Sequence, residues 1–408
     1  YDIHSLVKAF YPAETVKVFQ EGTKDLVSDG DNPEIAVIFE ENRIRIQVDG
    51  SEGQTDLSRP EEKNVVKNEL KQLLYRMLSA KTGKELPWGS LTGIRPAKIA
   101  MQLLEEGKTQ EEIRSYMEQT YYCSQEKADL AIGIACREKE ILKDIHYEQG
   151  YSLYVGIPFC PTTCLYCSFT SFPITVWRER VEEYLGALEK EMDFVQEAFR
   201  DKVLDSVYIG GGTPTTLEPD QLRRLLSRLR ETFDFSQVKE FTVEAGRADS
   251  ITADKLRVLK EFGVTRISVN PQTMNQKTLD LIGRRHTVEQ VKEAFALARQ
   301  EGFDNINMDL ILGLPGEDLP EVQHTMEEIK KLSPDSLTVH SLAVKKASRM
   351  MQWIEKNGLG LLHNTEETIQ LAARTAAEMN LHPYYLYRQK NMTGNLENVG
   401  YAREGCYG

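Results

Sequence analysis

The chain has 408 residues, of which 50 are Lys or Arg and 63 are Asp or Glu, so its formal net charge is −13. This acidic balance disfavours a general binder of the phosphate backbone, and we expect no nucleic-acid partner. The sequence contains no run of about 18 apolar residues and no charged-then-apolar leader, so it predicts neither a membrane span nor a signal peptide.

Residues 1–84 are predicted to form a small α+β domain. Alternating apolar residues predict strands in Thr15-Val-Lys-Val-Phe, in Glu34-Ile-Ala-Val-Ile-Phe and in Arg43-Ile-Arg-Ile-Gln-Val, the last two joined by a polar turn at 40–42. From Glu61 the apolar period becomes that of a helix, which extends to about Leu78. The pattern is typical of an antiparallel meander packed on a helix.

Residues 85–147 are predicted to be helical. One helix follows Pro96, a second begins at the capping box Thr109-Gln-Glu-Glu112, and a third runs from Ser124 to about Leu142. The stretch LTGIRPAK at 91–98 is interpreted as the entry to a helix, with a binding role as the alternative.

The most specific motif is Cys160-Pro-Thr-Thr-Cys164-Leu-Tyr-Cys167, which follows a predicted strand at 151–157. A loop with three thiolates can hold three irons of an iron–sulfur cube and leave the fourth iron free for another ligand. Zinc is an alternative because it also binds thiolates, but a closed structural zinc site needs a fourth protein ligand, and none lies nearby in the sequence. Three buried cysteines that merely pack are a further alternative, which the Pro, Thr and Tyr neighbours disfavour.

From Tyr151 onward, six β-rich segments alternate with amphipathic helical segments. Repeated strand and helix units predict a parallel sheet, and six units are consistent with an incomplete barrel whose chemistry lies at the C-terminal strand ends. The pattern by itself also allows an open doubly wound sheet. The predicted strands lie at about 151–157, 204–209, 240–245, 265–270, 305–312 and 335–342.

A glycine run follows the second of these strands, at Gly210-Gly211-Gly212-Thr213. Glycines let the main chain approach a ligand closely, although a tight turn explains the run equally well. Glu244 lies at the end of the third strand and Gln272 follows the fourth. Arg284 comes later, and its planar guanidinium suits a carboxylate.

The spacing C-x3-C-x2-C with an aromatic residue before the last cysteine is the signature of the radical S-adenosylmethionine (SAM) enzymes. The stretch YVGIPFCPTTCLYCSF resembles their porphyrin-related branch, which includes oxygen-independent coproporphyrinogen III oxidase and a related haem chaperone. The resemblance covers about residues 148–402 and implies an α/β fold with a partial (β/α)6 barrel. It further implies that Cys160, Cys164 and Cys167 hold a 4Fe-4S cluster. The open iron of this cluster would bind SAM, whose one-electron cleavage gives methionine and a 5′-deoxyadenosyl radical.

The resemblance also implies the contacts to SAM. The glycine loop would contact the SAM amino group, Gln272 and Arg284 the ribose and carboxylate, and Asp309 the ribose hydroxyls, while Ile311 would flank the adenine. No catalytic residue is assigned, and His286 and His340 are left out, because a His beside two arginines is equally consistent with a surface position and His340 is expected to end a strand. The implied SAM-binding residues are Tyr154, Gly211, Gly212, Thr213, Glu244, Gln272, Arg284, Asp309, Ile311 and Ala343.

The sequence departs from the resembling proteins at several positions. Phe169 stands where the oxidase has a fourth cysteine, and Gly156 where it has a histidine. The chaperone's HNxxYW element corresponds here to Glu397-Asn-Val-Gly-Tyr-Ala402, so its haem-binding His is missing. Pro383-Tyr-Tyr-Leu-Tyr-Arg388 precedes it, and its aromatic residues either stack on a tetrapyrrole or simply pack. The N-terminal part looks like the extension of the HemZ-type coproporphyrinogen dehydrogenase-like proteins.

The leading hypothesis is a cytoplasmic, monomeric radical SAM oxidoreductase for the oxygen-independent oxidative decarboxylation of coproporphyrinogen III in haem biosynthesis. Its cofactors would be a 4Fe-4S cluster and SAM, and its substrate a tetrapyrrole. Because no flavin or second-cluster motif occurs, an external electron donor of flavodoxin or ferredoxin type is expected. The alternatives are a tetrapyrrole-binding chaperone on the same scaffold and a radical SAM enzyme with another substrate, such as RNA.

The sequence predicts four segments: the α+β domain at 1–84, a helical segment at 85–147, the barrel at 148–390 and the start of a truncated C-terminal region at 391–408. The chain begins with Tyr1 rather than Met and stops in a glycine-rich stretch, which is typical of trimmed ends.

Overall fold

The computed structural model describes residues 2–12, 14–19, 35–93, 95–345, 347–389 and 396–408. The chain divides into two compact units, Tyr1–Cys136 with Leu386–Glu397 and Arg137–Tyr385 with Asn398–Gly408. The segment boundaries proposed from the sequence stay predictions. In the described residues, no helix has both the length and the apolar character needed to cross a membrane.

The first unit packs helices against an antiparallel sheet with strand order β1-β2-β3. Its core joins Leu6 and Phe10 of α1, Ile44 and Ile46 of β2, and Leu74 of α2. Its elements are α1 Asp2–Phe10, β1 Ile35–Glu40, β2 Arg43–Val48, β3 Ser51–Asp56, α2 Lys63–Thr82, α3 Ala97–Glu105, α4 Gln110–Tyr121 and α5 Gln125–Ile141, whose last residues belong to the second unit.

The strand predicted at 15–19 is wrong, since these residues are not in a strand and Phe19 is 45% exposed. The third strand is instead β3, whose sequence Ser51-Glu-Gly-Gln-Thr-Asp carries no apolar alternation. It pairs with β2 through a tight turn in which Asp49 and Gly50 both have positive φ, 41° and 80°, as a type I′ hairpin requires. The turn, rather than the apolar pattern, fixes this register.

The three predicted helices of the next segment are α3, α4 and α5. The capping box of α4 is formed, because the Thr109 hydroxyl accepts from the Glu112 N–H at 3.2 Å and the Glu112 carboxylate accepts from the Thr109 N–H at 2.8 Å.

The second unit contains a sheet in which β4, β7, β8, β9, β10 and β11 lie side by side in chain order, all parallel. Right-handed crossovers between successive neighbours place every connecting helix on the same side, so the sheet curls into a partial barrel. A doubly wound sheet would reverse its strand order, and this one does not. The predicted (β/α)6 barrel is therefore confirmed.

Beyond β11 the sheet continues with the antiparallel strand β13 and then β12. The strands are β4 Gly150–Ile157, β5 Phe159–Cys160, β6 Phe172–Pro173, β7 Val203–Gly211, β8 Glu240–Gly246, β9 Arg266–Val269, β10 Ile306–Leu312, β11 Ser336–Ser341, β12 His382–Tyr387 and β13 Asn398–Ala402. The helices are α6 Ile174–Trp177, α7 Val181–Ala198, α8 Pro219–Thr232, α9 Ala253–Glu261, α10 Gln276–Leu281, α11 Val288–Gln300, α12 Leu319–Leu332, α13 Met350–Asn357 and α14 Glu366–Glu378.

Candidate functional site

One face of the parallel sheet is polar from strand to strand. Strand pairing sets Tyr208 beside Thr242, and Glu244 beside Ser268 and then Asn307. Because side chains alternate between the faces of a strand, the intervening residues point the other way, and they are apolar and buried. The polar face carries Tyr154, Tyr208, Thr242, Glu244, Ser268, Asn307, Asp309 and Thr338.

Several buried atoms on or next to this face lack a hydrogen-bond partner among the described residues. They are Ser268 Oγ, Asn270 Oδ1 and Gln272 Oε1, whose residues are all less than 9% exposed. A buried polar atom left without a partner costs roughly 1–3 kcal/mol, which a ligand that bonds to it removes. These atoms therefore fit a site built for a polar ligand.

Glu244 lies at the centre of one set of contacts. The Tyr208 hydroxyl donates to Glu244 Oε1 at 2.5 Å, and the Gly211 N–H is close enough to this carboxylate to lower its pKa. Burial, helped by the negative charge of Asp309, raises the pKa of Glu244 to about 7. Tyr154 stacks on Tyr208, with ring centroids 5.8 Å apart and planes 11° apart. The structure thus brings Tyr154, Gly211 and Glu244 together.

Main-chain bonds bring Gln272, Asp309 and Ile311 together. The Gln272 N–H donates to the Asp309 carbonyl at 2.9 Å, and the Ile311 N–H donates to the Gln272 carbonyl at 2.9 Å. Gln272 has a φ of 69°, an unusual value for a residue with a side chain and one that recurs at ligand sites. Burial alone would raise the pKa of Asp309, but His340, whose Nε2 lies 3.9 Å from Asp309 Oδ2, and a hydrogen bond from Asn307 hold that pKa below its ordinary value. Asp309 is therefore ready to accept hydrogen bonds as an anion.

The cysteine loop, residues 160–167, meets the glycine loop, residues 210–215. Thr213 Oγ1 donates to Cys160 Sγ at 3.5 Å. A Cβ added to Gly212 would lie 2.6 Å from the Phe159 carbonyl oxygen and 3.0 Å from Cys160 Sγ, so the two loops are in contact along their main chains. This contact explains why a glycine is needed at that position.

The thiols of the cysteine loop fit a cluster. All of the chain's cysteines lie in described residues and are free, with Cys160 and Cys164 buried. Burial raises the pKa of Cys167, and the proximity of Cys164 and Cys160 adds to the shift. In the part of the chain that the structure describes, no three His, Cys, Asp or Glu side chains converge to hold a single metal ion. The thiolates of an iron–sulfur cube each bind a different iron, so they need no such convergence.

Two predicted residues remain, Arg284 and Ala343, and Ile311 has a further contact. Arg284 is 5% exposed, its Nη1 donates to the Asn270 carbonyl, and its guanidinium is close enough to Cys164 and Tyr166 for them to raise its pKa. Ile311 belongs to an apolar cluster against which Tyr166 packs. Ala343 follows the end of β11 and is half-buried. The SAM contacts assigned to these residues stay predictions.

Sequence reasoning missed several residues of this region. Tyr208 and Ser268 lie on the same face of the sheet as Glu244 and Asp309, at alternate positions of their strands. The alternation of polar and apolar residues along each strand could have identified them. Arg247 is only 2% exposed, and nothing in its local sequence indicates that it is buried. His286 is completely buried, so the surface interpretation was wrong. Its burial, with Arg284 nearby, lowers its pKa to about 4.

Comparison with known proteins gives consistent matches. Residues 154–329 match the family model of the radical SAM superfamily. The chain is 40% identical over 354 residues to the oxygen-independent coproporphyrinogen-III oxidase-like protein HemZ of Bacillus subtilis, which covers 86% of this chain and 71% of that protein. It is 35% identical to the haem chaperone HemW of Bacillus subtilis over 59% of this chain and 62% of that protein.

The coproporphyrinogen III oxidases match a smaller part of this chain than HemZ does. Identity to the oxygen-independent coproporphyrinogen III oxidase of Salmonella typhimurium is 34%, over 48% of this chain and 42% of that enzyme. The solved structure of coproporphyrinogen III oxidase (HemN) from Escherichia coli superposes with a TM-score of 0.52 at 26% identity, over 65% of this chain and 58% of that one. The chain thus spans less than two thirds of HemW and of these oxidases. It belongs to the radical SAM superfamily, whose members use a 4Fe-4S cluster and SAM, and within it to the branch of oxygen-independent coproporphyrinogen III oxidase-like proteins.

Proposed function

We propose that this protein is a radical SAM oxidoreductase that decarboxylates coproporphyrinogen III without oxygen. The observation that carries the proposal is the contact of Thr213 with Cys160. It joins the cysteine loop to the glycine loop at the C-terminal end of the barrel strands, next to the polar face. The substrate is supported by the relatives whose names specify coproporphyrinogen III oxidation. Thiols that hold such a cluster must stay reduced, which favours a cytoplasmic location.

Each part of the site has a role in this proposal. Cys160, Cys164 and Cys167 hold the cluster, which when bound supplies one electron to cleave SAM into methionine and a 5′-deoxyadenosyl radical. Glu244 accepts from the SAM amino group, and Asp309 accepts from the ribose hydroxyls. In the overall reaction a propionate side chain loses the hydrogen atom β to its carboxylate, then carbon dioxide and one electron, which passes to an external acceptor, and a vinyl group remains.

The proposal is tested by anaerobic reconstitution of the cluster, followed by incubation with SAM, a reductant and coproporphyrinogen III. The 5′-deoxyadenosine and the vinyl product are measured separately. Both products are expected. Deoxyadenosine without a vinyl product would contradict the substrate, whereas no deoxyadenosine with any reductant would contradict the radical chemistry itself.

We expect SAM binding to weaken at low pH because of Glu244. Its pKa of about 7 means that the carboxylate is mostly protonated in mild acid, and the neutral carboxyl group is a much weaker acceptor for the SAM amino group. SAM should therefore bind about tenfold more weakly at about pH 6 than at about pH 8, by calorimetric titration of the cluster-loaded protein. The stability of the ligand-free protein should depend on pH in the opposite direction. Because the folded state holds the Glu244 proton more tightly, the free energy of unfolding should decline as the pH rises from 4.5 to about 7.

The control is Glu244→Gln, which keeps the shape of the side chain but cannot ionise. Its SAM affinity should be low and independent of pH in this range. If the variant showed the same pH dependence as the unmodified protein, another group would be responsible.

A haem chaperone is the second candidate, and contacts of Glu397 disfavour it. Glu397 corresponds to the haem-binding His of the chaperone, yet it is completely buried in the first unit. Its carboxylate accepts from Lys127 Nζ at 2.7 Å and from Trp88 Nε1 at 2.8 Å. Tyr384, in the aromatic stretch before it, is also buried and packs on other rings. These groups stabilise the fold in this proposal and bind no haem.

The buried ion pair gives a stability prediction. Lys127→Met removes one partner and leaves the Glu397 charge buried, which should lower the free energy of unfolding by about 3–5 kcal/mol in a urea titration. Lys63→Met, at the exposed start of α2, is the control and should change it by less than about 0.5 kcal/mol. Equal stability of the two variants would mean that Glu397 is not locked in this pair.

An external electron donor completes the proposal. A cleft of about 450 Å³ lies beside the cysteine loop and is lined by Thr162, Thr163 and the exposed Arg285 and Arg349. On a chain with a net charge of −13, these arginines favour an acidic donor protein. Changing both to Gln should slow reduction by flavodoxin, most at low salt, and leave reduction by dithionite unchanged. Equal slowing with both reductants would contradict donor docking there.

A further inference from the structure

A buried arginine holds the middle of the cysteine loop. Arg247, in the loop after β8, is 2% exposed. Its Nη1 donates to Thr162 Oγ1 at 2.6 Å and to the Thr162 carbonyl oxygen at 3.2 Å. Thr162 lies midway between Cys160 and Cys164, so this bond fixes the segment that sets their spacing.

The position of Arg247 is itself fixed by charge. Its Nε and Nη2 donate to the two carboxylate oxygens of Asp249 at 3.0 and 2.7 Å. Bidentate pairs of this kind define orientation as well as distance. On the other side, the Thr162 hydroxyl donates to the Gly283 carbonyl at 2.9 Å, so Thr162 bridges Arg247 to the segment that contains Arg284.

The same loop is tied to the glycine loop. The Ser250 hydroxyl donates to the Arg247 carbonyl at 2.7 Å and lies 2.6 Å from the Thr215 hydroxyl. Lys255 Nζ donates to the Thr215 carbonyl at 2.6 Å. Bonds through Arg247 therefore connect the cysteine loop to the loop that would hold SAM.

We propose that Arg247 is a positioning residue for the cluster. It holds Thr162, and with it Cys160 and Cys164, in register with the glycine loop. The inference concerns the cysteine loop alone and does not depend on the tetrapyrrole substrate, so its failure is distinguishable from that of the proposed function. A merely structural ion pair would affect unfolding of the whole barrel but not the local opening of this loop.

The test uses thiol alkylation of the protein without its cluster, with peptide mass spectrometry to separate the cysteines. Cys164 is 8% exposed, so its alkylation requires the loop to open. Arg247→Met and Thr162→Val should each raise its alkylation rate about tenfold to a hundredfold, because each removes a hydrogen bond to a charged group. The double variant should be accelerated by less than the product of the two single effects, since both changes break the bond between Arg247 and the Thr162 hydroxyl.

Matched controls separate this effect from general destabilisation. Thr163→Val changes the adjacent hydroxyl, which contacts only Ser171 among the hydrogen bonds that the structure describes, and Arg257→Met removes an exposed ion-paired arginine. Both should stay within about twofold of the unmodified rate. Thr162→Ser, which keeps the hydroxyl, should restore that rate.

A second readout follows the cluster after reconstitution. Arg247→Met and Thr162→Val should lose iron faster on gel filtration and show an altered electron paramagnetic resonance signal on addition of SAM, and Arg247→Lys should be intermediate. Unchanged alkylation and an unchanged spectrum in Thr162→Val would overturn the proposal. So would a Thr163→Val variant that behaves like Thr162→Val.

Discussion

Replacing any one of Cys160, Cys164 and Cys167 with Ala should abolish the brown iron–sulfur absorption of the reconstituted protein and its formation of 5′-deoxyadenosine. A cube held by three thiolates loses the protein ligand of one iron when one of them is removed, and residues 137–405 contain no other cysteine to replace it. Iron content, absorption and deoxyadenosine are measured on each variant after anaerobic reconstitution.

The remaining cysteines are the internal controls. Burial raises the pKa of Cys123 to about 12, so this thiol stays protonated and is a poor ligand. Cys136 and Cys406 are half-buried in other parts of the chain. Changing each of these to Ala should leave iron and activity intact. Full iron content in a Cys164→Ala protein would refute the ligand assignment.

Gly212→Ala should impair both the cluster and SAM binding, because the added Cβ would collide with the Phe159 carbonyl and Cys160 Sγ. The cysteine loop or the glycine loop must then shift, and overpacking of this kind costs about 1–3 kcal/mol, equivalent to about fivefold to 150-fold in SAM affinity. Calorimetric titration with SAM and the iron content of the reconstituted protein measure the two effects.

Gly186→Ala provides the comparison, since Gly186 lies inside α7 and an added Cβ there meets only the end of the Arg224 side chain at 3.8 Å. It should bind SAM as the unmodified protein does and be slightly more stable, because Ala is the better helix former. SAM binding by Gly212→Ala that equals that of Gly186→Ala would contradict the close contact between the two loops.

The barrel could be predicted from the sequence because its local signals agree. Strands covered on one face by helices have buried apolar residues at alternate positions, such as Val207 and Ile209, and the helices between them are amphipathic. The sequence could not separate a barrel from a doubly wound sheet, since strand order depends on contacts between distant residues. In the first unit, β3 was missed because both of its faces are largely exposed and its register comes from the turn at Asp49 and Gly50.

Contacts in the site could be predicted where a motif fixes the course of the main chain. They could not be predicted where a long side chain bonds to a residue that is distant in the sequence. The contact between Gly212 and Cys160 follows from two loops at adjacent strand ends. The bond from Arg247 to Thr162 joins residues far apart in the sequence, and no local pattern predicts it. Likewise, no local sequence pattern predicts that Arg284 lies close to Cys164.

We propose that this barrel removes a hydrogen atom from a propionate of a tetrapyrrole. The most direct measurement is anaerobic turnover with coproporphyrinogen III deuterated at the carbons β to the propionate carboxylates, followed by mass spectrometry of the 5′-deoxyadenosine. We expect one deuterium to be transferred to 5′-deoxyadenosine for each vinyl group formed. Deoxyadenosine that carries no deuterium, alongside unchanged coproporphyrinogen, would contradict it.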